Sequence, residues 1–265
     1  MKNVAFALLL SAFVTVQGTI EIRRNGKVVA TDHAQPANAI RVLFVGNSLT
    51  YWNEMPALTR RVAGSLGAQP ALATEFSGMG GATLKQHWEK GAALRRIREA
   101  KWDFVVLQAQ SLEMIERPEE TTKYATFFAR EIDRAGAKTV IFETWKPNGL
   151  PGTQAALNVR YVALAHQINA LVGPVGAAWE TLQRNGMKLF DPGGVHPNLR
   201  GSYLTACVFY ATFYRADPAG ATHVFETKFD VPESYRRDLE VEKISDEDAV
   251  AIQREAWAAV RGFKN

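Results

Sequence analysis

Ile40-Arg41-Val42-Leu43-Phe44-Val45-Gly46-Asn47-Ser48 is a β-branched, almost wholly apolar run that stops at a glycine and passes into turn chemistry. A helical pattern follows from about Pro56, with Leu58 and Val62 on one face. A strand that is apolar at successive positions rather than at alternate ones is buried on both sides, which is the signature of a parallel sheet. The same unit recurs downstream. Strands are expected over 71–76, 104–107 and 139–142, with helices over 84–98 and 121–135 between and after them. A helix over 154–171, a short strand over 175–179, a long loop over 186–198 and a helix over 199–214 complete the pattern. Strands alternating with helices predict an α/β fold, a mostly parallel sheet covered on both faces by helices, with right-handed crossovers.

Outside this region the chain is less regular. Ser245-Asp246-Glu247-Asp248 resembles a helix N-cap with a negative first turn, and Ala249, Ile252, Ala256 and Val260 form the stripe of the helix it would start. The stretch 223–243 has no clear period. At the other end, Met1-Lys2-Asn3 precedes an apolar run, Val4 to Val16, and then Gln17-Gly18-Thr19. This predicts a signal peptide over residues 1–18 and an exported protein, periplasmic or secreted, with no membrane span in the mature chain. Residues 19–39, alternating and polar with irregularity near Pro36, read as an N-terminal extension, and 40–265 as one domain.

Composition bounds the function. Of 265 residues 47% are hydrophobic and 22% charged, which excludes disordered and collagen-like classes. The net charge of +4 comes from scattered residues, so nucleic acid is not an expected partner. The single cysteine, Cys207, lies in an apolar stretch and can form no internal disulfide. His33, His87, His166 and His223 lack ligand spacing with another histidine or cysteine, so no metal or other cofactor is expected.

In open parallel sheets ligands bind beyond the carboxyl ends of the strands. Four polar segments fall there or in a late loop. Gly46-Asn47-Ser48-Leu49-Thr50 puts a serine near a helix start, where unpaired N–H groups can stabilise an oxyanion. Gly80-Gly81-Ala82-Thr83 lets backbone approach a substrate carbonyl, and Gln108-Ala109-Gln110-Ser111 offers uncharged carboxamide donors. Asp191-Pro192-Gly193-Gly194-Val195-His196-Pro197-Asn198 presents an acid and an imidazole together, and imidazole can take and return a proton near neutral pH. Each segment alone is also ordinary turn or cap chemistry.

As an ordered set, the four resemble the SGNH hydrolases, also called the GDSL esterases and lipases, over residues 40–214. The resemblance implies a three-layer α/β/α sandwich with a flavodoxin-like sheet. It implies Ser48 as nucleophile and His196 as its base, with an oxyanion hole formed by Ser48, Gly81 and Gln110. It also implies hydrolysis of a small-molecule or glycan ester, such as a short acyl or acetyl group on a carbohydrate, through an acyl-enzyme. Two departures stand out. Where the family carries an aspartate three residues before the histidine, this chain has Gly193, so the acid is either Asp191 or absent, leaving a Ser–His dyad. Gln110 falls where the family has asparagine. An acyltransferase on the same scaffold, and a carbohydrate-binding protein with impaired catalysis, are the alternative functions; Tyr51, Trp52, Trp88 and Trp145 are candidates to stack on a sugar.

Overall fold

The computed structural model describes residues 19–24, 27–33, 38–150, 152–225 and 244–263, so the predicted signal peptide and residues 226–243 lie outside the described residues. The chain divides into two units, 1–39 and 40–265. In the first, β1 (Thr19–Arg24) pairs antiparallel with β2 (Lys27–His33), with a bulge at Ile22/Arg23. The N-terminal extension therefore carries a strand pair, to which the alternation in Thr19-Ile20-Glu21-Ile22 corresponds.

The second unit holds a five-stranded sheet built from β3 (Ile40–Gly46), β4 (Leu72–Gly78), β5 (Phe104–Leu107), β6 (Lys138–Phe142) and β7 (Leu171–Gly173). All neighbours are parallel and the order is β4-β3-β5-β6-β7. The chain turns one way from β3 to β4 and the other way to β5, so the crevice between the ends of β3 and β5 is the topological switch point. Successive residues of β3 feed opposite layers. Val42 and Phe44 join one core cluster, while Leu43 and Val45 join the other.

The first cluster is closed by α2 (Met55–Ser65), α8 (Val175–Arg184), α9 (Leu199–Tyr214) and α10 (Asp246–Gly262). The second is closed by α3 (Leu84–Lys90), α4 (Ala92–Glu99), α6 (Pro118–Arg134) and α7 (Gln154–Gln167). Short turns, α1 (Ser48–Tyr51), a 3-10 turn (Trp52–Glu54) and α5 (Glu113–Glu116), sit at the strand ends. This is the α/β/α sandwich with a parallel, flavodoxin-like sheet. Ser245 caps α10 by accepting from Asp248 N, and Ala249, Ile252, Ala256 and Val260 are buried, as the periodicity predicts.

The helix expected from 121 begins at Pro118, and two regions differ more from the sequence reading. The helix expected over 84–98 is two helices, because Gly91 adopts φ 72° and ends α3 as a left-handed cap. The helix expected to reach 171 ends at Gln167, and the edge strand is Leu171–Gly173, so the strand expected at 175–179 is a helix. The buried positions Val175, Ala178, Trp179 and Leu182 have helical spacing. Gly176 is required there, since a Cβ would lie 2.3 Å from Gln154 Nε2 and 2.5 Å from Thr144 O.

Just beyond β6, Glu143 is fully buried where α8 begins. Its Oε2 lies 3.5 Å from Ala177 N and its Oε1 has no hydrogen-bond partner among the described residues. Burial, reinforced by the charge of Glu180, pushes its pKa up to about 8. The folded state thus holds a proton that the unfolded chain releases above the ordinary carboxylate range. Stability attached to Glu143 is complete below the ordinary carboxylate range, near pH 4.5, and is lost progressively as pH rises from there through about 8. Glu143→Gln, neutral at every pH, should therefore match the wild type near pH 4.5 and exceed it increasingly up to pH 9, by about 2–5 kcal/mol. Denaturant melts across that range check this; a pH-independent difference would refute it.

Candidate active site

The serine segment is built from the end of β3. Asn47 caps α1, its Oδ1 accepting from Leu49 N at 3.1 Å, while its Nδ2 donates to Ala82 O at 3.0 Å in the loop after β4. The neighbouring strand supplies Gln108, fully buried at the end of β5. Its Oε1 accepts from Asn47 N at 2.7 Å and from Thr50 Oγ1 at 3.0 Å, and its Nε2 donates to Ala109 O. Gly46 is the residue that makes room. A Cβ there would lie 2.5 Å from Gln108 Oε1 and 2.7 Å from Thr50 Oγ1.

The histidine arrives on the late loop. Phe190 and Pro197 form an antiparallel bridge, Asp191 N donates to His196 O at 2.9 Å, and Gly194 N donates to Asp191 O at 3.0 Å. The Pro-Gly-Gly segment therefore turns back and returns the acid to the imidazole. Three further groups hold the loop: Trp145 Nε1 donates to Val195 O at 2.9 Å, Asn148 N donates to Gly194 O at 2.9 Å, and Asn53 Nδ2 donates to Pro197 O at 3.2 Å. Asn53 sits at φ 52°, in the left-handed region that asparagine tolerates better than most residues.

These supports bring His196 Nε2 to 2.9 Å from Ser48 Oγ. Trp52 lies flat against the imidazole, with ring centroids 4.1 Å apart and planes 12° apart. Asp191 Oδ2 is 3.9 Å from His196 Nδ1, beyond hydrogen-bond length but within ion-pair range, and its buried Oδ1 has no partner among the described residues. Gly193 is the reason the acid fits. A Cβ at 193 would lie 3.3 Å from Asp191 Oδ1, so Asp191 occupies the space next to the position where an aspartate three residues before the histidine would begin. Burial lowers the pKa of His196, and the Asp191 charge partly offsets that.

Of the three expected oxyanion donors, two have free N–H groups. Neither Ser48 N nor Gly81 N hydrogen-bonds to another described residue, and Gly81, at φ 66°, lies in open space in the loop after β4. The third is differently employed. Gln110 closes its own turn, with Nε2 donating to Ser111 Oγ at 3.2 Å and Oε1 accepting from Leu112 N at 2.8 Å, and no hydrogen bond joins it to the serine segment. The carboxamide that reaches that segment is Gln108, acting as an acceptor. Register explains this: Gln108 N bonds Val45 O, which sets residue 108 beside Gly46.

The aromatic candidates divide as well. Trp145 is fully buried and stacked on Trp179, so it is core, while Trp88 is half-buried and packs on Phe127 and Phe128 against the second core cluster. Trp52 and Tyr51 flank the site, Tyr51 being 39% exposed and in T-shaped contact with Phe76. Asn53 is a structural partner of the site that reading by spacing misses, and Gln108 and Trp145, read as a carboxamide donor and a sugar-stacking ring, serve instead as an acceptor on the serine segment and a donor to the histidine loop, because each contact joins segments far apart in the chain. The one signal within reach was a buried-type position, the residue directly after an apolar strand, filled by an amide.

No protein-family model matches the chain, and no curated protein sequence matches it. Solved structures do. A candidate SGNH hydrolase from Slackia heliotrinireducens is 28% identical over 66% of this chain and 100% of its own, with a TM-score of 0.56. A DUF4886 family protein from Bacteroides uniformis is 15% identical over 84% of this chain and 95% of its own, with a TM-score of 0.65. The acetyl xylan esterase AlAXEase is 15% identical over 65% of this chain and 98% of its own, with a TM-score of 0.53. The last two likenesses are of fold.

Proposed function

We propose that the chain is an SGNH hydrolase and, from that premise, a serine esterase whose nucleophile is Ser48 and whose general base is His196. The observation that carries this reading is the 2.9 Å contact between Ser48 Oγ and His196 Nε2. A serine hydroxyl is a weak nucleophile until a base takes its proton as it attacks. Here the proton passes from Oγ to Nε2 as the Oγ–C bond forms, and the carbonyl electrons collect on an oxyanion facing the N–H groups of Ser48 and Gly81. The leaving alcohol then takes the proton from Nε2, and an acyl-Ser48 ester remains. Water, deprotonated by the same nitrogen, releases the acid. Each oxyanion donor contributes on the order of a hundredfold in rate.

The substrate we favour is a short acyl ester, such as acetyl, borne on a carbohydrate. Tyr51 and Trp52 support it, since both lie within about one turn of the nucleophile and Tyr51 is an exposed aromatic. The fold shared with an acetyl xylan esterase is consistent with it. The purified protein should hydrolyse nitrophenyl acetate faster than nitrophenyl octanoate, release acetate from acetylated glycans, and be labelled at Ser48 by a fluorophosphonate. Active protein with Ser48 unlabelled would defeat the assignment, and a preference for the octanoate would defeat the short-acyl reading.

A further inference from the structure

The peptide group joining Gly46 to Asn47 stands directly before the nucleophile, and side chains from two other elements grip both of its polar ends. Its N–H donates to Gln108 Oε1 at 2.7 Å, as described above. Its oxygen, Gly46 O, lies 2.9 Å from Nε2 of His87, which reaches across from α3. A carbonyl oxygen only accepts, so Nε2 must carry the hydrogen. Burial lowers the pKa of His87, which leaves the ring neutral and fixes its tautomer by this one bond.

The arrangement is specific. The start of α3 is fixed twice, by the reciprocal Thr83–Gln86 capping box and by Glu113 Oε2, which accepts from Gln110 N at 2.6 Å and lies 3.4 Å from Leu84 N. On the opposite side, Gly78 ends β4 without a side chain, since a Cβ there would lie 2.2 Å from the same Gly46 O. Gly46 O already has a longer bond from Met79 N at 3.3 Å, so it would not be left bare without the imidazole. Burying a polar ring for a carbonyl that has another donor adds little stability, because the net gain of one such bond is small. What it adds is direction. With N–H and C=O both held, the peptide plane cannot rotate, and the Ser48 N–H and Oγ that follow it are aimed.

Resting on the reading of Ser48 as nucleophile, we propose that His87 is a positioning residue for the hydrolysis, holding the Gly46–Asn47 peptide plane so that Ser48 presents its hydroxyl to His196 and its N–H to the oxyanion. The test compares His87→Leu, which fills the space without a donor, with His87→Gln, whose Nε2 lies the same number of bonds from Cα as the imidazole Nε2. Misplacing a reacting group by a fraction of an ångström to one ångström costs about tenfold to a hundredfold in rate. Leucine should lower kcat on nitrophenyl acetate, and the rate of fluorophosphonate labelling, by that factor with KM changed less than about twofold; glutamine should recover both to within about threefold of wild type. Melting curves of both variants accompany the kinetics, and His87→Met replaces leucine if leucine does not fold. Wild-type kcat in the apolar variant, or glutamine as impaired as leucine at equal stability, would overturn the proposal. A wild type that fluorophosphonate fails to label at Ser48 would instead overturn the nucleophile assignment.

Discussion

Ser48→Ala should lower kcat on nitrophenyl acetate by about 10⁴- to 10⁶-fold, His196→Ala should do nearly the same, and the double variant should be no worse than either. The non-additivity is the informative part. In the proposed mechanism the hydroxyl and the imidazole, 2.9 Å apart, act as one device, so removing either end removes all of it. Folding should hardly notice, since a single partly exposed hydrogen bond contributes on the order of 1 kcal/mol. The pH profile follows from the same pair. The base works only when neutral, and burial sets the pKa of His196 below its ordinary 6.5, so the acid limb of kcat/KM in the wild type should fall below pH 6.5. Steady-state kinetics from pH 4.5 to 8 check both statements. Additive losses, or an acid limb above pH 7, would contradict them.

Asp191→Ala should cost about a thousandfold in kcat, as removal of the orienting acid does in other serine triads. Its Oδ2 faces His196 Nδ1 at 3.9 Å, its Oδ1 is buried without a partner among the described residues, and the loop that carries it is bonded back on itself. A carboxylate so enclosed has the imidazolium as its natural counterion. Because the Asp191 charge raises the pKa of His196, its removal leaves desolvation unopposed, and the acid limb should move to still lower pH in the variant. Relocation offers a second check. In the double variant Asp191→Ala with Gly193→Asp, a carboxylate grows from a Cβ site 3.3 Å from the present Asp191 Oδ1, and at least tenfold of the lost rate should return. A loss below about tenfold in Asp191→Ala, with the acid limb unmoved, would mean that the enzyme runs on serine and histidine alone.

The strands were legible because burial on both faces leaves a mark that no partner is needed to read: Val42 to Val45 and Phe104 to Leu107 are apolar at every position, and the two core clusters take them alternately. The region from 171 to 184 was not, since short apolar runs suit strand and helix alike, and only the packing of Trp179 against Trp145 and of Gly176 against Thr144 decides for helix. At the site the same division holds. Ser48 opens the short helix that follows Gly46, and Gly81, Asp191 and His196 stand in loops whose glycines and prolines announce a turn. The choice between Gln108 and Gln110 needs the pairing of Val45 with Leu107, which follows from strand order, and His87 on a helix rich in polar residues acquires meaning only when α3 is laid over the end of β3.

Asn53 shows how far the serine–histidine distance is insulated from the rest of the molecule. Five residues after Ser48 in the chain, its amide bonds both Pro197 O and Ser202 Oγ. Nucleophile, asparagine, proline and histidine thus close a small ring, and the gap between hydroxyl and imidazole is a span across that ring rather than across the domain. Both ends of that span are joined by a path shorter than any that runs through the sheet.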